Sequence, residues 1–227
     1  MKQIISVLAS ALLFAGCSHF KSNEEVSKEQ MARVPPQNMA SVNQARVNLA
    51  KAEDEVARQQ LGVNSAKEEV NVANDEVSVA QAEIDKLNST LKKAQTDRDR
   101  ATIRRTQQQL RMANAKLDAA KARVASAKTA VDLANARLAQ AEAERDLAKD
   151  QLEYEQYLAL KQSGDPEWKK VNANGILSRI DDDKKKIDSA QQEVAHQQTA
   201  SAQSRAAWEA AQQTYQQISG VGGSGRQ

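Results

Sequence analysis

Leu91-Lys92-Lys93-Ala94-Gln95-Thr96-Asp97-Arg98-Asp99-Arg100-Ala101-Thr102-Ile103 is the stretch whose reading decides the architecture. Before it, large apolar residues recur every seven positions: Val42, Leu49, Val56, Val63, Val70, Val77, Ile84 and Leu91. Three residues after most of them stands a small one, as in Ala45, Ala52, Ala66, Ala73, Ala80 and Ala94. After it the same design returns as Ile103, Leu110, Leu117, Val124, Val131, Leu138, Arg145 and Leu152, with Ala113, Ala120, Ala127, Ala134, Ala141 and Ala148 at the offset of three. A seven-residue repeat with large a and small d positions is the pattern of a left-handed, closely approached coiled coil. Leu91 and Ile103 are out of step, however. At about 100° per residue, a continuous helix would rotate the second stripe by roughly 120° from the first, and one partner could not follow both. Residues 96–102 are polar apart from Ala101, so a chain reversal is expected there, although neither Gly nor Pro marks it.

The next break is Ser163-Gly164-Asp165-Pro166. Asp165 as cap and Pro166 at a first helical position would start a short helix through Val171, closed by Asn174-Gly175. A third heptad series follows: Ile180, Ile187, Val194, Ser201, Trp208 and Tyr215, with Ala190, Ser204, Ala211 and Ile218 three residues on. The run Asp181-Asp182-Asp183-Lys184-Lys185-Lys186 reads as a solvated helix face whose charges suit the helix dipole and pair locally. The expected fold is all-α, an up-down-up antiparallel bundle of three long helices at about 39–95, 103–162 and 176–218. The alternative is one very long helix with a shorter one folded back on it, which would have to oligomerise. Monomer and homo-oligomer both stay open.

Composition agrees with rods and argues against a mixed sheet fold. Aromatic residues are 3% of the 227 positions, Gly and Pro number 8 and 3, and Ala alone fills 39. Lys and Arg total 32 against 30 Asp and Glu, both signs interspersed along the chain, so nucleic acid is not an expected partner. One Cys and two His cannot form an internal disulfide or a Cys/His zinc cluster. His19 lies near the N-terminus and His196 at an outward heptad position. Neither has a Ser, Cys or metal-ligand partner at helical spacing. No catalytic residue, cofactor or metal is expected, and the chain does not read as an enzyme.

The N-terminus carries the most specific signal. Lys2, an apolar run over residues 4–14 and small residues after it have the form of an export signal, too short to span a bilayer. Phe14-Ala15-Gly16-Cys17 resembles the lipobox of bacterial lipoproteins, with Phe14 in place of the usual Leu. The resemblance implies a signal peptide over 1–16, cleavage before Cys17 and acylation of its thiol. Each buried acyl CH₂ contributes about 0.8 kcal/mol, so two or three chains hold a protein stably to a leaflet. Ser18 after the Cys, rather than Asp, implies the periplasmic side of an outer membrane. Residues 17–38, polar and carrying Pro35-Pro36, read as the lipidated Cys and a flexible tether, and 219–227 as a flexible Gly-rich tail.

Residues 134–211 are similar to the α-helical hairpins of periplasmic adaptor (membrane fusion) proteins. Ala/Leu heptads run through Leu152-Glu153-Tyr154-Glu155-Gln156-Tyr157-Leu158-Ala159-Leu160-Lys161-Gln162-Ser163-Gly164, turn, and return. The tip residues and flanking β-domains of that family have no counterpart here. The murein lipoprotein is a second comparison, but the end Gly225-Arg226-Gln227 lacks the Lys through which that protein is linked to peptidoglycan. Trp168 has two readings: a cap over the bundle end, or an exposed anchor at the far tip, with Tyr154 and Tyr157 nearby, where a partner docks. The functional expectation is a membrane-anchored coiled-coil lipoprotein serving as a structural or scaffolding element of the cell envelope, with other envelope proteins as partners. The alternative is an accessory subunit of an efflux or secretion assembly.

Overall fold

The computed structural model describes residues 26–164, 168 and 172–220. The expected signal peptide, Cys17, His19, the first part of the expected tether, the expected tail from 221 and most of the segment assigned to the short helix at 166–171 lie outside the described residues. The elements are α1 (Lys28–Met31), a 3-10 turn (Pro36–Asn38), α2 (Ala40–Thr96), α3 (Arg100–Gln162) and α4 (Asn174–Ser219), with no strand among the described residues. The fold is an up-down-up array of three long helices, and the single-long-helix alternative is excluded by the break between α2 and α3.

That break is made without Gly or Pro. Arg98 takes the left-handed conformation at φ 55°, unusual for a residue with a side chain. Asp99 then caps α3: one carboxylate oxygen accepts from the backbone N–H of Ala101 and Thr102 at 3.0 and 3.1 Å, and the other from Thr102 Oγ1 at 2.6 Å. These bonds satisfy donors that a helix start leaves open, which is why α3 begins at Arg100, ahead of the expected residue 103. At its other end α3 stops where Gly164 turns left-handed at φ 85°. Asn174-Gly175, expected as a closing turn, instead opens α4, because the Asn172 side chain accepts from the Asn174 N–H at 2.9 Å.

α2 runs antiparallel to α3 with the two expected seams facing. Near the distal turn, Ala80 and Ile84 form one core with Ala113 and Leu117, flanked by Val77, Leu87 and Leu110. Farther down, Ala73, Val63 and Val42 on α2 and Ala120, Ala127, Ala141 and Ala148 on α3 are buried. Arg145, the one charge among the α3 a positions, stays partly exposed and pairs with Asp146 at 2.7 Å.

α3 also carries a second stripe, not read from the sequence. Ala119, Ala136, Ala143 and Tyr157 are buried, and Ala115, Ala122, Leu133, Leu147 and Tyr154 are half-buried, at c and f positions of the same heptad. This stripe lies roughly 160° around α3 from the a/d seam at about 100° per residue. α4 packs on it. The middle helix is thus shared: α2 and α4 each lie along α3 and scarcely meet one another. On α4, Ile176, Ile180 and Val194 are buried, and so is Asp183, the seam position three after Ile180. Of the run expected as a solvated face, Asp181, Asp182 and Lys184 to Lys186 are exposed and Asp183 is not.

The tether expectation is corrected in its second half. Ser27 caps α1 in a reciprocal box with Gln30, each backbone N–H meeting the other's side-chain oxygen at 3.2 and 2.8 Å. Met31 and Val34 are then buried against Val42, Tyr157, Leu160, Trp168, Ile176 and Ile180. Three separated apolar residues, Val26, Met31 and Val34, have no helical period. They nonetheless join the larger of the two buried clusters among the described residues, because the bundle end offers bulky rings where much of the seam offers Ala.

Candidate docking surfaces

At the tether end the aromatic rings form a closed stack. Tyr154 and Tyr157 lie with ring centroids 6.3 Å apart and nearly parallel, and Trp168 meets Tyr157 edge-on at 6.2 Å. Lys161, one turn on, donates to the Tyr157 hydroxyl at 3.0 Å. Trp168 is only 2% exposed and Tyr157 3%, so neither offers a ring to a partner; Tyr154 is half-buried. Of the two readings of Trp168, the cap is the one the structure shows. Its location differs from expectation too: with α2 up and α3 down, the α3–α4 connection returns to the end where residues 26–42 sit, and the far tip is the turn at 97–99.

A second concentration of side chains lies where α2 and α4 approach over α3. A cleft of about 520 Å³ is lined by Val72, Glu76 and Val79 from α2, Ala119, Ala120 and Arg123 from α3, and Trp208 and Tyr215 from α4. Val72 and Val79 are 48% and 62% exposed, apolar groups that a closed bundle would have covered. Arg123 spans the cleft. It donates from one Nη to Glu76 and from the other to Glu69, and its guanidinium lies 5.9 Å from the Trp208 ring centroid. The bonds to Glu69 and Glu76 outweigh partial burial and raise its pKa further, keeping it charged. Next to it Lys116 donates to Glu83 at 2.8 Å, which raises the Lys116 pKa. Sequence reading assigned Trp208 to the seam and did not place Arg123 at all. The signal available was Arg123 standing one residue before Val124, on the flank of the seam.

Toward the other end an ionic cluster joins α4 to α3. Arg179 donates to Asp150 at 3.0 Å and also to Glu153. Burial works against its charge, but the bonds to Glu153 and Asp150 prevail and its pKa is raised. Buried Asp183 is met by Lys186 at 2.7 Å, and that bond, with Asp146 and Asp150 nearby, raises the Lys186 pKa. Asp150, Glu153 and Asp183 are thus each matched by a cation.

His196 is solvent-exposed, 3.9 Å from Glu193. No set of three His, Cys, Asp or Glu side chains among the described residues is placed to hold a metal ion. None of the described helices is long and apolar enough to cross a membrane. Compared with protein-family models, curated proteins and solved structures, the chain matches none.

Proposed function

We propose that this chain is a membrane-anchored periplasmic lipoprotein, lipidated at Cys17, whose helical rod serves as a structural or scaffolding element of the cell envelope. The observation that carries the reading is the seating of residues 26–39 on the end of the rod opposite the 97–99 turn. A lipid on Cys17 then holds one defined end. Between it and the first described residue lie positions 17–25, which at about 3.3 Å per residue reach at most roughly 30 Å. α2 and α3, with 57 and 63 residues, extend about 86 and 95 Å at 1.5 Å per residue. The anchor therefore presents the turn at a set distance, with two faces of Ala-seamed helix between, which suits a spacer better than an enzyme.

The accessory-subunit reading draws less support from this geometry. In the hairpin compared with adaptor proteins the turn is the working tip, whereas here the α3–α4 turn lies at the anchored end and buries its aromatic residue.

Mass spectrometry of the mature N-terminus, combined with membrane fractionation, tests the proposal. The expected result is a chain beginning at an acylated Cys17, and loss of the membrane-bound pool in Cys17→Ser. An uncleaved or unacylated N-terminus, or membrane association unaltered by the substitution, rejects it.

A further inference from the structure

The reversal at 97–99 makes a basic stretch of sequence, residues 92–105, the end of the rod. Lys92 and Lys93 at the end of α2 come to the same tip as Arg98, Arg100, Arg104 and Arg105, against two carboxylates, Asp97 and Asp99. All six cations are exposed. None of the six forms an ion pair among the described residues, although cations elsewhere on the rod, such as Lys116, Arg123 and Arg179, do. Asp99 is itself occupied in capping α3, with Arg105 adding only a longer-range attraction. The body of α2 has the opposite balance: from residue 40 to 85 it carries Lys or Arg at 46, 51, 58 and 67 against Asp or Glu at 53, 54, 55, 68, 69, 75, 76, 83 and 85.

We propose that this distal tip is an electrostatic docking surface for the anionic headgroup face of a phospholipid bilayer. Four observations select that partner. Lys92 and Arg105 lie five and six residues from the turn, so all six charges fall within about 9 Å of the end along the axis. That is comparable to the Debye length of about 8 to 10 Å, and a flat surface met end-on feels every one of them. The cleft beside the tip, along Gln108, Asn114 and Ile218, takes in none of the six. No aromatic residue lies between 86 and 111 to stack a nucleobase. No large exposed apolar side chain lies there to insert, so contact stays at the headgroups. A second copy of this chain is a poor partner: copies anchored side by side set basic tip against basic tip.

That the bilayer met by the tip is a different one from that holding the anchor rests on the lipoprotein reading. The test separates the two claims. The full chain is reconstituted into neutral phosphatidylcholine vesicles, flotation reporting anchoring, and light scattering follows clustering when acceptor vesicles rich in phosphatidylglycerol are added. Clustering is expected with anionic acceptors and not with neutral ones, suppressed by salt, and weakened at least about tenfold by the combined Lys92→Glu, Lys93→Glu, Arg104→Glu and Arg105→Glu. Should that variant lose helicity by circular dichroism, the same four positions changed to Gln give the readout. Indifference to acceptor charge or to the substitutions overturns the proposal, as does binding of soluble polyglutamate without binding of anionic vesicles. If the chain fails to float with neutral vesicles, the anchor reading fails, and direct co-sedimentation with anionic against neutral vesicles still decides the tip.

Discussion

The guanidinium of Arg123 lies 5.9 Å from the ring centroid of Trp208, and through its two bonds to Glu69 and Glu76 it ties α4 to α2 across a helix that otherwise keeps them apart. Since α2 and α4 scarcely touch, this side chain does across the array what a shared apolar core does in a closed bundle.

Arg123→Ala should therefore loosen the C-terminal half of α4 while leaving the α2–α3 hairpin intact. A loss of about 1 to 2 kcal/mol is expected from one cation–π contact and two partly exposed ion pairs. In a double-mutant cycle with Trp208→Ala, coupling of about 0.5 to 1 kcal/mol is expected, and strict additivity would show that the ring and the guanidinium do not act together.

Trp168→Ala opens the cap. Removing a buried Trp costs about 3 to 5 kcal/mol, and here the loss should be felt first by the segment that leans on it. Amide exchange at Met31 to Val34 should accelerate strongly, with exchange near the 97–99 turn unchanged. Equal acceleration at both ends would mean that the rod melts as one unit.

The second stripe of α3 predicts a positional contrast. Ala136→Leu or Ala143→Leu forces a large side chain between α3 and α4 and should cost about 1 to 3 kcal/mol, chiefly by releasing α4. Ala139→Leu, at an exposed position of the same helix, should leave stability nearly unaltered. Similar effects at all three sites would show that α4 does not pack as described.

The distal turn should be acid-sensitive. The hydrogen bond from the Thr102 hydroxyl, and then the backbone N–H groups of Thr102 and Ala101, lower the Asp99 pKa below its ordinary 3.8. Asp99 thus contributes stability that is present in full above pH 3.8 and is lost as pH falls through its lower folded value. Protection of the Ala101 and Thr102 amides should fall in that window ahead of the helix interiors. Asp99→Ala should remove the window and lower Tm by about 2 to 4 °C.

Much of the fold is legible one residue at a time. The heptad Val and Ile of α2 and the Ala between them are buried or half-buried where their period places them, because a seven-residue period states directly which face is apolar. The reversal is legible as a register slip between Leu91 and Ile103, though its chemistry, an Asp cap after a left-handed Arg, carries no Gly or Pro to mark it in the sequence. The second stripe of α3 was hidden for the opposite reason. Ala115, Ala122, Ala136 and Ala143 do recur in sevens, but in a chain where Ala is everywhere the best helix former, its recurrence does not reveal which Ala is covered. Met31, Val34 and Trp168 have no period at all and become a core only by meeting.

By itself, then, the amino-acid sequence determined helix, seam and direction change, all properties of residues near one another along the chain. Only the tertiary structure decided that α3 is shared, that Trp168 closes the end opposite the 97–99 turn, and that Asp183 is buried. Each of these depends on which distant residues the two reversals bring side by side, and periodicity within a single helix holds no information about that.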